Sequence, residues 1–178
     1  QVIEKIQDPI ILKCALKLLK KVKDNFKSIS KKPDYFFHKI TANIAIENDV
    51  LRAFIFQLLN AFVDFVHPEL PVLKYVIDGC ESNSYETRLA AKSTAIEICK
   101  NYDYFCSQVL RNIRMPEVID ILPHITRSNK VINQAIRHIN RNMNNENEYL
   151  VELIDAAIEF SLKIGLLPTT TFNKLMSL

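Results

Sequence analysis

The residues best suited to chemistry in this sequence are amide and charged side chains that recur at helical spacing in two separate stretches. In the first stretch, Gln57, Asn60 and Asp64 interrupt a long apolar run at intervals of three and four residues. Residues at these intervals lie on one face of an α-helix, so the three side chains form one polar stripe. An amide side chain offers both a hydrogen-bond donor and an acceptor, and a carboxylate offers an acceptor.

The second stretch carries positive charge on a helix that is predicted to begin at Asn129. Its polar ridge consists of four residues at helical spacing: Lys130, Gln134, Arg137 and Arg141. Guanidinium groups bind carboxylate and phosphate bidentately, so the ridge favours an acidic peptide or a phosphate group, with Arg111, Arg114 and Arg127 expected nearby. For both the stripe and the ridge a second interpretation stays open, in which the polar residues are only the solvated face of a helix and bind nothing.

Patterns typical of enzymes and of cofactor sites are missing. The four histidines are scattered, and no H-E-x-x-H motif includes them. Two glycines are too few to build a loop that cradles phosphate. We therefore expect a protein that is not an enzyme and that uses no metal and no cofactor.

The cysteines form no C-x-x-C pair, so their spacing indicates neither a metal site nor a redox motif. The four positions are Cys14, Cys80, Cys99 and Cys106. We expect all four to stay reduced thiols, with Cys14 and Cys99 packed inside helices as small hydrophobes. Reduced cysteines favour an intracellular, cytoplasmic location.

The charge of the chain alternates along its 178 residues. Apolar residues make up 48% and charged residues 24%, which excludes a disordered chain and suits one folded domain. The net charge of +3 divides into +6, −4, +4 and −3 over four successive segments: 1–32, 33–110, 111–142 and 143–178. Such alternation gives no continuous basic field, so nucleic-acid binding by the basic segments 5–32 and 111–141 is the rival interpretation and not the leading one.

Apolar periodicity predicts an all-α chain. The stretch Asp49–Val66 is apolar on almost every side, which predicts a helix buried on several sides at the centre of the fold. Arg52 and Asp64 interrupt it, so no transmembrane segment is expected. About nine or ten helices are predicted, at approximately these ranges: 9–26, 33–46, 49–66, 70–77, 85–100, 103–113, 115–125, 129–143 and 149–166.

Local signals refine several of these helices. The first helix is expected to bury Ile11 and Leu18 on its apolar side. Gly79 is expected to cap the 70–77 helix at its C-terminus, and Gly165 to mark the end of the last helix. Pro123 is expected to bend the 115–125 helix, because proline lacks the backbone N–H that a helix interior needs.

A shorter helix, a polar break and a longer helix follow one another three times. The breaks are at these positions: Asn48-Asp49, 82–84 and Ser128-Asn129. This order resembles armadillo or HEAT repeats, and the first copy matches best, with Phe56 and Asn60 at the family's bulky and asparagine positions. The second copy lacks the asparagine, and the third offers Asn140 or Arg141 near that position. The resemblance implies a right-handed α-solenoid over 1–178, and a chain that begins at Gln1 can be a segment of a longer protein.

The resemblance also implies a function. Armadillo-type repeats bind extended peptides on a concave surface, where their asparagines hold the peptide backbone. We expect a non-catalytic scaffold or adaptor that binds a protein or an extended peptide, with an acidic segment of the ligand towards Arg137 and Arg141. The expected groove runs from the stripe at Gln57, Asn60 and Asp64 past Glu97 to the basic ridge. Neither the partner nor the oligomeric state follows from the sequence.

Overall fold

The computed structural model describes six main ranges and a few C-terminal positions: 9–21, 48–63, 71–112, 117–125, 128–143, 148–166, 169, 172–173 and 176–177. These ranges hold seven α-helices, one short 3-10 helix and no β-strand, which confirms the all-α prediction. The described part does not reach the expected nine or ten helices, and the helix predicted at 33–46 lies outside it. The chain separates into two compact units, residues 1–97 and 98–178, which are described in turn. A single repeat domain over the whole chain stays a prediction.

The first unit contains three helices and most of a fourth: α1 (Pro9–Lys21), α2 (Asp49–Ala61), α3 (Pro71–Cys80) and α4 (Tyr85–Asn101). α2 begins at the predicted polar break, because the side chain of Asn48 accepts a hydrogen bond of 3.1 Å from the backbone N–H of Leu51. It ends at Ala61, earlier than the predicted Val66. The backbone N–H of Phe62 is shared between the carbonyls of Leu58 and Leu59, which tightens and closes the last turn.

α2 supplies the centre of the first unit, as its apolar surface predicts. Its largest buried side chains include Ile55, Phe56, Leu58 and Leu59. The ring of Phe56 stacks on Tyr75 of α3 with centroids 4.8 Å apart. On α4, the buried hydroxyl of Thr94 lies 2.7 Å from the carbonyl oxygen of Phe56, so both α3 and α4 pack on the same turn of α2.

The predicted C-cap at Gly79 is wrong, because α3 continues through this residue to Cys80. Gly79 has no positive φ, so it does not adopt the left-handed conformation of a C-cap. It permits close packing instead. A Cβ placed on Gly79 would overlap the ring of Phe56 and would lie 2.9 Å from the Cβ of Ala91, so only glycine lets these side chains approach α3 so closely.

The burial predicted for α1 is also wrong. Ile11 and Leu18 are exposed, and so is Cys14. α1 packs against α2, but its apolar residues occupy more than one side of the helix, so this contact does not cover all of them.

The second unit contains the following elements after its share of α4: α5 (Asp103–Asn112), a 3-10 helix (Leu122–His124), α6 (Asn129–Met143) and α7 (Leu150–Ile164). α6 packs against both α5 and α7, and α7 also packs against the 3-10 helix. The buried aromatic rings of Phe105 on α5 and Phe160 on α7 anchor the core together with Ile139 of α6. Gly165 ends α7, as predicted, and its φ of 69° is the left-handed conformation typical of a helix C-cap.

The predicted α-helix at 115–125 is wrong over its described part. Residues 117–121 form a turn, and Leu122–His124 form the 3-10 helix. Most of the bonds here span three residues, as from the N–H of Ile121 to the carbonyl of Val118 at 2.9 Å. Pro123 explains the difference, because its ring would clash with the carbonyl of Ile119 in an α-helix. In the described part, the third predicted repeat therefore lacks its first α-helix.

Candidate functional site

A basic cleft of about 650 Å³ opens between α5 and α6 in the second unit. Eight of the described residues line it: Leu110, Arg111, Lys130, Gln134, Arg137, His138, Arg141 and Asn142. Four of these side chains are cationic, and no carboxylate is among them. The cleft thus presents positive charge and amide groups to any ligand that enters.

The cleft follows directly from the amphipathic pattern of α6. One side of this helix is buried through Val131, Ala135, Ile139 and Met143. Burial of that side turns the residues between them towards solvent, where three basic side chains of α6 stand exposed: Lys130, Arg137 and Arg141. From the first to the last of these, the stripe is about 17 Å long at the helical rise of 1.5 Å per residue.

Hydrogen bonds hold parts of the lining in place. The side-chain amide of Gln134 donates to the carbonyl oxygen of Ser107 at 3.4 Å, which links α6 to α5. The Nε of Arg137 donates to the carbonyl of Asn133 at 3.2 Å, which steadies its side chain along the helix. Asn142 donates from Nδ2 to the carbonyl of His138 at 2.8 Å. Gln134 therefore acts in the packing of the two walls as well as in the lining.

The positive charge of the cleft is not neutralised by acidic residues within the described part of the chain. There, no carboxylate forms an ion pair with Arg111, Lys130, Arg137 or Arg141. The half-buried imidazole of His138 responds to this environment. Burial lowers its pKa, and the charge of Arg141 lowers it further. Its buried Nε2 has no hydrogen-bond partner among the described residues.

The residues of the other predicted stripe belong to the first unit. Gln57 is exposed, and Glu97 is half-buried. The half-buried Asn60 donates from Nδ2 to the hydroxyl of Ser93 on α4 at 3.0 Å. Asp64 lies outside the described residues. A groove that joins this stripe to the basic cleft stays a prediction.

Periodicity alone could have identified more of the lining than we predicted. His138 and Asn142 continue the spacing of Lys130 and Gln134 at intervals of four residues, so the same helical face includes them. Arg111 was expected near the ridge, and the structure places it in the lining. Leu110 has no such signal, since its position depends on how α5 packs against α6. Arg114 and Arg127 lie outside the described residues.

A smaller acidic cleft of about 350 Å³ lies between α7 and the segment at 117–124. Its lining includes four carboxylates: Asp120, Glu152, Asp155 and Glu159. Glu159 accepts a hydrogen bond of 2.7 Å from Nζ of Lys163. This bond lowers the pKa of Glu159, and the charges of Lys163 and His124 also lower it. Three of the carboxylates follow helical spacing on α7, which the sequence analysis did not identify.

In the described part of the chain, no cluster of three or more His, Cys, Asp or Glu side chains could hold a metal ion. No described helix combines the length and the apolar character that a membrane crossing requires. Comparison with protein-family models, curated proteins and solved structures finds no match to this chain.

Proposed function

We propose that this chain is a non-catalytic protein-interaction module and that the basic cleft binds an acidic segment of a partner protein. The observation that carries the proposal is the concentration of four cations around one cleft, with no carboxylate among the described residues that line it. A cleft of this kind attracts negative charge, and its guanidinium groups can bind carboxylates bidentately. The stripe along α6 is long enough to contact about five residues of an extended segment at 3.3 Å per residue.

The distribution of charge favours a local binding site over a nucleic-acid surface. Residues 98–178 contain nine Lys or Arg and eight Asp or Glu, so this unit carries a net charge of only +1. Proteins that bind nucleic acid usually have a continuous basic face that contacts many phosphates. In the first basic segment, 5–32, helix α1 exposes Lys17 and Lys21, whereas Lys13 is half-buried. Nucleic acid is therefore the second candidate for the ligand.

The proposal includes the architecture that the repeat pattern suggests, a diverged armadillo-like or HEAT-like solenoid inside the cell. Its support is the all-α fold and one helix pair, α3 and α4, that is joined by a polar turn at 81–84 as the repeat requires. Within this architecture, Gln57 and Asn60 would hold the ligand backbone on the first unit.

A titration with acidic peptides tests the main proposal. The full chain is titrated into a fluorescent library of peptides rich in Asp and Glu, with a library rich in Lys and Gln for comparison. We expect Arg137→Glu with Arg141→Glu to weaken binding of the acidic library by about tenfold or more, because attraction becomes repulsion. Lys74→Glu is the matched control, since Lys74 is exposed on α3 and does not line the cleft.

Three results would contradict the proposal. The first is equal binding of the two libraries by the unaltered chain, and the second is an equal loss in the Lys74→Glu control. The third is tighter binding of single-stranded DNA or RNA than of the acidic library at the same salt concentration, which would favour the nucleic-acid candidate.

A separate pair of variants tests the role of the first unit. Asn60→Ala removes the amide that would hold the ligand backbone, and it also breaks the bond to Ser93. Ser93→Ala breaks the same bond but keeps the amide, so it controls for the structural effect. We expect weaker peptide binding in Asn60→Ala alone. Equal affinities in both variants would confine the binding site to the basic cleft.

A further inference from the structure

Three arginines from two helices line the basic cleft, an arrangement that suits a compact anionic group. Arg137 and Arg141 are four residues apart on α6, so their Cβ atoms lie about 6 Å from each other on one face. Arg111 reaches the same cleft from α5, on the opposite wall. A small anion between the walls can therefore meet donors from both sides.

The charge in this cleft exceeds what one carboxylate neutralises. A glutamate side chain brings one negative charge and two oxygens, whereas a phosphorylated side chain brings a charge of about −1.5 to −2 and three acceptor oxygens. No acidic side chain of the described residues pairs with these arginines, so their full charge is available to a ligand. Residues 98–178 carry a net charge of only +1, so this unit suits a ligand with a compact double negative charge better than a long polyanion.

We propose that the basic cleft binds a phosphorylated side chain of the partner protein, held by the guanidinium groups of Arg111, Arg137 and Arg141. This inference rests on the proposed function and names the chemistry of its ligand. Lys130, about 10 Å along the helix from Arg137, contacts the flanking part of the same segment. The arginines select the phosphoryl group, while Lys130 adds affinity for negative charge of any kind.

Three peptide libraries with identical random flanks test this inference. They differ only in the central residue, which is phosphoserine, glutamate or serine, and binding to the full chain is measured by fluorescence anisotropy. We expect the phosphoserine library to bind about tenfold more tightly than the glutamate library, because phosphate accepts more charge-assisted hydrogen bonds. The glutamate library should in turn bind more tightly than the serine library.

Variants separate the two roles within the cleft. Arg137→Lys with Arg141→Lys keeps the charge but removes the planar fork, so the preference for phosphoserine over glutamate should shrink to about twofold or less. Lys130→Gln should weaken both libraries by a similar factor and leave their ratio unchanged. All three residues are exposed, so each variant is expected to melt like the unaltered chain.

The outcomes distinguish this inference from the proposed function. Equal binding of the phosphoserine and glutamate libraries, both above serine, would overturn the phosphoryl inference and leave the acidic-segment proposal standing. Equal binding of all three libraries would overturn both. Inorganic phosphate that competes at the same concentration as the phosphoserine library would show a site for the free ion and overturn recognition of a modified protein.

Discussion

Arg141 follows His138 by three residues on α6, and its charge adds to burial in lowering the pKa of the His138 imidazole. Arg137 adjoins His138 on the same helix, and Arg111 lines the cleft from α5. A histidine whose pKa lies below its ordinary value is mostly neutral at pH 7, so without a ligand His138 adds little positive charge to the cleft. An anionic ligand would reverse this balance, since negative charge nearby favours the protonated imidazole.

We first predict that binding of a glutamate-rich peptide tightens as the pH falls from about 7 to about 5.5, the range around and below the ordinary pKa of histidine. The pKa of His138 lies below its ordinary value in the empty cleft and rises when carboxylates enter, so binding takes up protons. Glutamate side chains, with pKa values of about 4.3, stay ionised over this range. The test is the affinity at several pH values for the unaltered chain and for His138→Gln. The same pH dependence in both proteins would contradict the prediction.

The same histidine has a second measurable consequence, in the absence of ligand. Because the folded chain holds His138 below its ordinary pKa, the unfolded chain binds more protons, and stability falls as the pH drops below about 6.5. An NMR titration should show the lowered pKa directly. In Arg141→Gln the pKa should rise only in part, because burial is the larger cause. Full return to the ordinary value would mean that the charge of Arg141 dominates.

A second prediction concerns the buried hydroxyl of Thr94 on α4. It lies 2.7 Å from the carbonyl of Phe56, a contact that joins α4 to α2. Thr94→Val keeps the shape and removes the hydroxyl, so we expect a loss of about 1–2 kcal/mol in the free energy of unfolding. Denaturant unfolding measures this loss. Ser93→Ala, at an exposed position of the same helix, should cost less than about 0.5 kcal/mol, and an equal loss in both variants would contradict the prediction.

A third prediction concerns whether replacing Gly79 by alanine stabilises or destabilises the chain. In the interior of an exposed helix, alanine is usually more stable than glycine by about 0.5–1 kcal/mol. Gly79 should show the opposite, because a Cβ there would overlap the ring of Phe56 and press on Ala91. We expect Gly79→Ala to destabilise the chain by about 1–3 kcal/mol in denaturant unfolding. A stabilised variant would show that α3 does not pack so closely on α2.

A fourth prediction concerns the cysteines, none of which forms a disulfide in the structure. Cys14 is exposed, whereas Cys80, Cys99 and Cys106 are buried. A thiol reagent should therefore label Cys14 quickly in the native chain and the other three only after unfolding. Without reductant, the denatured chain should show four reactive thiols. Two or fewer would mean that disulfides form in solution, and Cys14→Ser identifies the fast-labelled residue.

Helical periodicity predicted the polar face of α6, because it depends only on the local spacing of residues along one helix. It placed Lys130, Gln134, Arg137 and Arg141 on one side before any packing was known, and the structure brings these four into one cleft. The wall of the cleft that α5 forms was harder to predict. Leu110 is twenty residues or more away along the chain, and only the packing of α5 against α6 puts it in the lining.

Packing also overturned two local interpretations. Gly79 follows a short apolar run, so its sequence position indicates a helix end, but the ring of Phe56 from α2 takes the space above it and α3 continues. Ile11 and Leu18 have helical spacing that predicts burial, but spacing does not tell whether another element covers that side. Pro123 differs from these two cases, because its covalent ring acts on the local backbone without help from packing. We predicted that it would bend a helix, whereas the chain forms a turn there.

The sequence by itself determined that the described chain is helical, where most of its helices begin, and that α6 carries a basic face. These properties follow from short-range forces: backbone sterics, capping hydrogen bonds and the period of apolar residues. The tertiary structure alone decided which faces are covered, where a glycine is required for contact, and that Arg111 and His138 join the ridge in one cleft. These properties depend on contacts between residues far apart in the chain. Side-chain shape and burial together determine such contacts, so no local sequence pattern predicts them.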